Sequence, residues 1–522
     1  MNERRYLTLE LISVLAFCAL LFVYGLGSFG LVGADEPRYA QIAREMLARH
    51  DWITPVLNGV PWLEKPVLFY WSAMVSYSIF GVHDWAARVP TALMTIGMVF
   101  AAYFFMRRFR QGAQLDTALI MASCAGVIGF ARAASTDMPL TAMFSIGMLA
   151  WFAWFQTSEK RWLCVFYVFL ALATLAKGPV VPFLAALIIA VFVFLRRDWK
   201  TIRESLWTPG ILLYLAVALP WFVLVQRANP QFIRVFIFEH NLARYSSDMF
   251  RHKQPFWYFV PVVIVAVLPW VLFVAAALVK AARDYTSDSF QLFFALWAIL
   301  PVIFFSFSQS KLPGYILPAI PPLAILAAEY IRRREEESGP PRMWFTSLHS
   351  LIGGVLLGGA LLTNYFVLRL RPSPTAITIA IVAGTVCFTG MIFAVYARGA
   401  RVLRLTTMVP VLLGIVFVIK YASPTIDIKS SSRPIAAKLS ALPQATGKVA
   451  VFGVPRDIEY GLNFYENAPI ASYDRGEIPA EAHLLVAREG TSQSLQMILG
   501  KRLSPVGEFS ARNLEFYFVS AK

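Results

Sequence analysis

The sequence predicts a polytopic α-helical membrane protein, and three observations support that fold class. The chain has 522 residues, of which 58% are hydrophobic and only 15% are charged. Its mean hydropathy is +0.60. Soluble domains carry about 25% charged residues, so this chain has too few charges to cover a water-exposed surface. Apolar runs of about 20 residues, the length that crosses a bilayer, also recur through most of the chain.

The charge and cysteine content exclude other classes. The formal net charge is +16, but membrane proteins collect Lys and Arg in cytoplasmic loops, so a basic chain of this kind does not indicate a nucleic-acid partner. The cysteines lie inside apolar runs without CxxC spacing, and we expect neither a disulfide nor a zinc site among them; they are Cys18, Cys124, Cys164 and Cys387. The first apolar run lacks a small-residue cleavage site, so we expect it to be a retained span.

The apolar runs predict about thirteen transmembrane helices. They are 7–30, 89–106, 115–131, 139–155, 161–176, 178–195, 210–226, 256–280, 290–307, 312–331, 345–367, 375–397 and 403–420. A further apolar segment at 66–82 is rich in aromatic residues, which is typical of a helix lying in the membrane interface. If 66–82 does not cross, the later Arg and Lys clusters fall on the side of Arg4 and Arg5, as the positive-inside rule requires. We therefore interpret 66–82 as interfacial.

This topology places the N-terminus inside and the C-terminus outside, and it divides the chain in two. Residues 1–421 form the transmembrane domain, whose first outer loop, 31–88, carries the interfacial helices. Residues 422–522 are more polar and form a small α/β domain on the outer face. In that tail "KVAVFGV", "HLLVARE" and "NLEFYFVSA" read as strands and "DIEYGLNFYE" as a helix. The tail has no Gly-rich phosphate loop, so its function is not readable from the sequence.

Two carboxylate motifs lie on the predicted outer face. "GADEPRYAQIAREM" places Asp35 and Glu36 directly after the first span, and "ASTDMPL" places Asp137 ahead of another. The alternative interpretation is structural, because Asp is a preferred N-cap residue and acids suit the first turn of a helix. We expect the helix of the first motif to run from Pro37 to about Arg49.

Cationic and aromatic residues are predicted at the same level. "WLEKPVLFYW" places Glu64 and Lys65 beside the interfacial segment, where a lysine either reaches lipid phosphates or holds a substrate phosphate. Two further outer loops contribute "FEHNLARY" and "SQSKLPGYILP". The residues that they add to the candidate site are Glu239, His240, Arg244, Tyr245, His252, Lys311 and Tyr315. A Glu–His pair is a weak signal for a divalent ion.

Together these residues indicate a transferase that acts on a phospholipid-like donor at the outer membrane surface. Cations and a tyrosine hydroxyl suit a leaving phosphate, and a carboxylate suits a general base or an acceptor-orienting group. A transporter is disfavoured, because its ionisable groups are expected near the bilayer midplane. A nucleotide-sugar donor is disfavoured as well, because no Asp-x-Asp motif is present.

The motifs "ADEPRYAQIAREM", "NGVPWLEKPVLFYW", "ASTDMPLT", "LAKGP", "FEHNLARY" and "SKLPGYILP" resemble those of the bacterial aminoarabinose (4-amino-4-deoxy-L-arabinose) lipid A transferases. These belong to the protein O-mannosyltransferase-like glycosyltransferases of the GT-C fold. The resemblance extends to about residue 330. It implies an enzyme of the bacterial inner membrane whose active site faces the periplasm and whose donor is a sugar on undecaprenyl phosphate.

The resemblance also implies roles for individual residues. Asp35 would be the catalytic carboxylate and Asp137 a second one. Glu64 and His240 would hold a divalent ion such as zinc, magnesium or manganese. Lys65, Arg244 and Tyr315 would bind the donor phosphate, assisted by Lys311. Glu36 and Tyr245 would also bind substrate.

Three functions remain open at this point. The first is transfer of aminoarabinose to lipid A phosphate, and the second is the same donor chemistry on a protein Ser/Thr or another envelope glycan. The third is a lipid-linked-sugar flippase, which the crowding of polar residues on one face disfavours. In each case the expected partners are a polyprenyl-phosphate sugar, an acceptor and the bilayer, and we expect a monomer that binds no nucleic acid.

Overall fold

The protein is described from a computed structural model, which covers residues 3–243, 254–337, 343–398, 402–444 and 447–521. Within these residues nine helices are long and apolar enough to cross a membrane. They are Arg4–Val23, Asp84–Phe109, Asp137–Thr157, Thr208–Ala228, Ser289–Ser306, Pro313–Glu336, Met343–Leu361, Pro374–Arg398 and Val402–Ser430. This confirms the polytopic helical fold class.

The other four predicted spans are helical, but two are broken, one carries charges at its ends and one is short. Two pairs bend sharply, Gln114–Ser123 with Ala125–Ala131 by 65° and Phe256–Ala266 with Val271–Asp284 by 117°, and counting each pair as one span gives eleven. The remaining two are Lys160–Lys177, whose ends carry Lys and Arg, and Val180–Arg196, which has 17 residues. Thirteen spans therefore remain a prediction.

The first outer loop contains two helices and a small hairpin. The helices are Asp35–Ala48 and Leu68–Phe80, and strands β1 (Val56–Leu57) and β2 (Val60–Pro61) pair antiparallel between them. Leu68–Phe80 has 13 residues. At 1.5 Å per residue it is about 20 Å long, which is shorter than the roughly 30 Å hydrocarbon core. This length agrees with the interfacial interpretation of 66–82.

Short helices connect the spans. They are Trp199–Ser205, the π-helix Arg234–Ala243, the 3₁₀-helix Pro313–Ala319 that leads into Ile320–Glu337, Thr363–Leu368, and Arg433–Ser440. The span Val402–Ser430 ends in the helical turn Ser423–Ser430. The largest hydrophobic core lies among the membrane helices and extends into the first outer loop.

The C-terminal residues form a five-stranded mixed sheet with helices, as the tail composition predicts. The strands are β3 (Val449–Phe452), β4 (Ala471–Ser472), β5 (His483–Arg488), β6 (Leu503–Phe509) and β7 (Leu514–Val519). Their order is β4-β3-β5-β7-β6, with β3 parallel to β4 and β5 and the other pairs antiparallel. The helices are Arg456–Glu466 and Ser492–Leu499. We call this sheet with its helices the C-terminal layer. The domain boundary at 421/422 remains our proposal.

Two strands of this five-stranded sheet were not predicted, for different physical reasons. Strand β4 has two residues, which is too short to show an alternating pattern. Strand β6 lies at the sheet edge, contains Pro505 and is largely exposed, so it lacks the buried alternation from which strands are recognised.

Candidate active site

Asp35 begins the first helix of the outer loop with an accessible carboxylate. The helix runs Asp35–Ala48, two residues earlier than the sequence pattern predicts, and its cap residue is Ala34. The Asp35 side chain is 59% exposed, and its Oδ1 accepts a 2.5 Å hydrogen bond from Nη2 of Arg38. Since no side-chain cap bond is present, the N-cap interpretation of Asp35 is not supported.

Glu36 points to a different role from its neighbour. It is 5% exposed, and Arg88, itself 1% exposed, binds both of its oxygens at 2.7 and 3.0 Å. The amides of Val32 and Ala134 donate to the same carboxylate at 2.8 and 2.6 Å. A carboxylate offers about four acceptor positions, so these four donors leave none for a ligand. The expectation that Glu36 binds substrate is therefore at odds with this geometry, which makes it a buried structural group.

Arg38 connects the exposed carboxylate to an aromatic enclosure. Its guanidinium lies 5.0 Å from the Trp62 ring, 5.2 Å from Tyr39 and 5.5 Å from Tyr460 of the C-terminal layer. Burial lowers the pKa of Arg38, but neighbouring groups, among them the Asp35 and Glu64 carboxylates, raise it above its ordinary value. Arg38 therefore remains a fixed positive charge between these two acids.

Asp137 belongs to a second charge pair. It begins the helix Asp137–Thr157, whose cap is Thr136 without a side-chain bond, so the N-cap interpretation is again not supported. Its Oδ1 is paired with Nζ of Lys177, the last residue of Lys160–Lys177. The same ammonium lies 4.9 Å from the centroid of the Tyr315 ring.

Gly314 allows the chain to approach this pair closely. A Cβ atom at position 314 would lie 2.8 Å from Cγ of Asp137 and about as close to both of its carboxylate oxygens. Any larger side chain would therefore displace the carboxylate. The Pro-Gly break in "SKLPGYILP" brings the start of the 3₁₀-helix Pro313–Ala319 against Asp137.

The two carboxylate pairs lie near one buried tyrosine. Burial raises the pKa of the Tyr39 hydroxyl, and the charges of Asp35 and Asp137 raise it further. Tyr39 also packs against Tyr70, whose hydroxyl is buried and has no hydrogen-bond partner among the described residues. Asp35 and Asp137, separated by about a hundred residues in the sequence, are therefore both near Tyr39.

Glu64 and His240 are close together, as predicted. Their Oε1 and Nε2 atoms lie 3.8 Å apart, and neither side chain is fully buried. Carboxylate and imidazole are a suitable pair of ligands for zinc. Within the described residues no group of three His, Cys, Asp or Glu side chains converges on a metal position. Two side chains are fewer than the three or four protein ligands of a zinc site, so the metal remains a proposal.

A cavity of about 420 Å³ opens beside these groups. Its polar lining includes Lys65, Lys177, His240 and Tyr315. The remaining wall is largely apolar, with residues such as Phe183, Leu184, Ile237, Phe304 and Phe305. A cavity lined by both cations and hydrocarbon side chains suits an amphipathic anion, such as a lipid phosphate.

The other predicted residues have different outcomes. Lys65 and Tyr315 line the cavity. Lys311 is buried, and its ammonium donates to the carbonyls of Ser308 at 2.6 Å and Gln254 at 3.0 Å, which points to a structural role. Arg244, Tyr245 and His252 lie outside the described residues. Glu239 pairs with Arg234 at 3.3 Å.

Sequence reasoning missed several members of this cluster, namely Arg38, Tyr39, Tyr70 and Lys177. Lys177 lies in the quoted "LAKGP" motif, and a basic residue at an outer helix end was the available signal. Arg38 and Tyr39 follow Asp35 on the same helix at i+3 and i+4, the spacing of a helical face. Tyr70 gave no signal, because an aromatic residue in an apolar helix usually belongs to the core.

Comparisons with known proteins agree with this fold. Residues 7–236 match the model of the dolichyl-phosphate-mannose-protein mannosyltransferase family. An undecaprenyl phosphate-alpha-4-amino-4-deoxy-L-arabinose arabinosyl transferase of Serratia proteamaculans is 32% identical over 396 residues, which cover 73% of this chain and 70% of the relative. The Edwardsiella ictaluri protein of the same name is also 32% identical, over 62% of this chain and 59% of its own length.

Solved structures show the same architecture. ArnT from Cupriavidus metallidurans bound to undecaprenyl phosphate superimposes with a TM-score of 0.78 and 24% identity, covering 99% of this chain and 98% of its own. The Archaeoglobus fulgidus oligosaccharyltransferase in the apo form gives 0.54 at 13% identity, over 90% of this chain and 65% of its own.

Fold and comparisons together define a polytopic membrane glycosyltransferase of the GT-C fold. The Asp137–Lys177 pair adjoins the largely apolar cavity, whose lining includes Lys177. The chain belongs to the family of undecaprenyl phosphate-alpha-4-amino-4-deoxy-L-arabinose arabinosyl transferases.

Proposed function

We propose that this enzyme transfers 4-amino-4-deoxy-L-arabinose from undecaprenyl phosphate to a phosphate of lipid A, at the periplasmic face of the bacterial inner membrane. The observation that carries the donor assignment is a cavity lined by Lys65, Lys177 and Tyr315 together with many apolar side chains. A polyprenyl phosphate has the matching division into a charged head and a hydrocarbon chain. The donor follows the names of the relatives. Lipid A as the acceptor follows the resemblance of the sequence motifs to the lipid A transferases.

The reaction forms a bond between the acceptor oxygen and the anomeric carbon and breaks the bond from that carbon to the donor phosphate. Undecaprenyl phosphate leaves with the bonding electrons, so negative charge grows on its oxygens. The ammonium groups of Lys65 and Lys177 and the hydroxyl of Tyr315, three residues of the cavity lining, would stabilise that charge. We assign Arg244, outside the described residues, to the same phosphate.

Asp35 acts on the sugar side of the reaction. A lipid A phosphate is already anionic near neutral pH, so the attack requires no proton removal. As the phosphate leaves, positive charge develops on the anomeric carbon, and a nearby carboxylate stabilises it. The exposed Asp35 carboxylate, held by Arg38, suits this role. With a hydroxyl acceptor the same carboxylate would instead take the proton as general base.

Glu64 and His240 would hold a divalent cation in this scheme. A bound cation supplies positive charge toward a phosphate. Arg38 contributes a fixed charge next to Glu64 whether or not a cation is bound, because the Glu64 carboxylate is one of the groups that raise its pKa.

The test is transfer of radiolabelled sugar from undecaprenyl phosphate in proteoliposomes. Three acceptors are compared: lipid A, dephosphorylated lipid A and a Ser/Thr-containing protein. We expect label on phosphorylated lipid A with the wild type and a loss of about 100-fold or more with Asp35→Asn. Glu204→Gln is the matched control and should transfer normally. It removes an exposed carboxylate whose ion-pair partner among the described residues is Lys200, at 3.6 Å.

Label on the protein acceptor would replace lipid A by a protein substrate while retaining the donor. Transfer that is equal in Asp35→Asn and wild type would remove Asp35 from the site. Undecaprenyl-linked sugar that crosses the bilayer without reaching any acceptor would favour the flippase.

A further inference from the structure

A second cavity lies where the C-terminal sheet meets the loop between two membrane helices. Its volume is about 760 Å³. The cavity lined by Lys65 and Lys177, which we call the donor cavity, is smaller at about 420 Å³. Its lining comes from the end of Thr363–Leu368, from Ser423–Ser430 and from the C-terminal layer. Four of the described lining residues are cationic and none is acidic: Arg369, Lys429, Arg488 and Arg512.

The protein leaves much of this positive charge unmatched. Within the described residues the guanidinium groups of Arg369 and Arg488 have no hydrogen-bond or ion-pair partner. Lys429 donates one hydrogen bond, to the carbonyl of Ala511 at 2.7 Å, and an ammonium has three donors. Arg512 is 10% exposed and pairs with Asp457. Four cations around one cavity repel each other, so the arrangement favours a bound anion.

The sheet topology points to the same place independently. Strand β3 is parallel to both neighbours, and the chain passes from β3 to β4 on one side and then to β5 on the other. In such sheets ligands bind outside the carboxyl ends of the strands where the strand order reverses. Arg488 is the last residue of β5, Pro455 follows β3, and both line the cavity.

The position of the cavity favours a lipid over a free anion. Arg369 lies between the helices Met343–Leu361 and Pro374–Arg398, both of which are apolar enough to span a membrane. Next to it Phe366 and Leu370 are 64% and 58% exposed. Exposed apolar side chains beside a cationic cavity match a molecule with acyl chains and an anionic head.

The cavity is also connected to the first outer loop, 31–88, whose Asp35 we propose as the catalytic carboxylate and which we call the catalytic loop. Arg512 donates a long hydrogen bond, 3.4 Å, to the carbonyl of Ser431, and Ser431 forms a β-bridge with Val32. The Val32 amide in turn binds Glu36, next to Asp35. A head group held at Arg512 would therefore be linked through Ser431 to the segment preceding Asp35.

We propose that this cavity is a second ligand site, which binds the phosphorylated head group of an anionic lipid beside the catalytic loop. Two sources share that chemistry: a phosphate of the lipid A acceptor, and the phosphodiester of an anionic phospholipid. The first source rests on the proposed function, whereas the second does not.

The experiment measures lipid binding by the full chain in neutral phosphatidylcholine nanodiscs, with labelled lipid A, labelled phosphatidylglycerol and labelled undecaprenyl phosphate as separate probes. The test variant is the double substitution Arg369→Gln with Arg488→Gln. It removes two guanidinium groups that form no hydrogen bond or ion pair among the described residues. The matched control is Arg371→Gln, an exposed arginine on the same loop that does not line the cavity.

We expect the double variant to bind the second-site lipid about tenfold more weakly or worse, while undecaprenyl phosphate binding and the unfolding temperature remain at wild-type values. The control should match the wild type with every probe. A loss confined to lipid A would identify the acceptor as the occupant, and an equal loss for phosphatidylglycerol would identify a phospholipid. Unchanged affinity of the double variant for both lipids would overturn the proposal.

The two proposals fail separately. If wild-type protein transfers sugar to lipid A but the double variant binds both lipids normally, the second site is wrong and the function stands. If the double variant loses phosphatidylglycerol binding while no transfer to lipid A is found with wild type, the reverse holds.

Discussion

Asp35 and Glu36 are adjacent carboxylates, yet the fold gives them opposite surroundings. Glu36 is buried with Arg88 and accepts four hydrogen bonds, which tie together the end of the first span, the helix Asp84–Phe109 and the segment before Asp137. The Asp35 side chain is 59% exposed, and among the described residues its one side-chain hydrogen-bond partner is Arg38. Buried ion pairs hold a structure together only while both partners are present, whereas an exposed carboxylate keeps acceptor positions for a ligand. The comparison separates a structural pair from a chemical one.

Breaking the structural pair should have the largest effect. Arg88→Ala leaves Glu36 charged and buried and also removes the donor to the carbonyls of Leu26, Phe29 and Gly30. Loss of one member of a buried pair costs about 3–5 kcal/mol in the free energy of unfolding. We expect a large fall in unfolding temperature in detergent, or no folded protein. Asp35→Asn, which keeps the size of a 59% exposed side chain, is the control and should unfold near the wild-type temperature; equal destabilisation of the two variants would contradict the distinction.

The second prediction concerns the Asp137–Lys177 pair. Lys177→Met should reduce transfer by about tenfold or more, because it removes a cation from the donor cavity and leaves Asp137 without its partner. Binding of undecaprenyl phosphate should weaken in parallel. A double-mutant cycle with Asp137→Asn measures the coupling between the two residues. Strictly additive effects on activity would show that the two side chains act separately.

Gly314→Ala should have an intermediate effect. The added methyl would lie 2.8 Å from Cγ of Asp137, so the carboxylate must move, while the fold retains its packing elsewhere. We expect transfer to fall several-fold with little change in unfolding temperature, since shifts of about 1 Å in a site reduce catalysis. The matched control is Gly97→Ala, because a Cβ there would meet no atom within 4 Å and the backbone does not have a positive φ. A Gly314→Ala variant as active as Gly97→Ala would show that the Asp137 carboxylate does not depend on this close approach.

The smallest effect is expected from pH acting on the C-terminal layer. Burial lowers the pKa of His483, whose ring contacts the Tyr473 hydroxyl at 2.6 Å. The folded pKa then lies below the unfolded value of about 6.5, so the unfolded chain binds more protons as the medium becomes acidic. This contribution to stability is present above about pH 6.5 and is lost as pH falls through the folded value. Unfolding temperatures of wild type and His483→Gln between about pH 7.5 and 5 test this; a wild-type slope no steeper than the variant's would contradict it.

Much of the site was predictable because its residues lie in short outer motifs between long apolar runs. Asp35, Asp137, Lys65 and Tyr315 were identified in this way, as was the Glu64–His240 pair, and the structure brings them into one region. Their chemical roles remain proposals. The structure adds Lys177 and Arg38, which the sequence marks only as basic residues at or near the ends of helices.

What the sequence determined by itself is the membrane-spanning class and the presence of strands and a helix in the C-terminal residues. These depend on composition and periodicity, which are local properties of the chain. Only the tertiary structure decided which of two adjacent acids is buried, which lysine reaches Asp137, and that Arg369 and Arg488 line one cavity. Each of these depends on contacts between segments more than 30 residues apart, and a side chain's burial and partners are set by such contacts rather than by its neighbours in the chain.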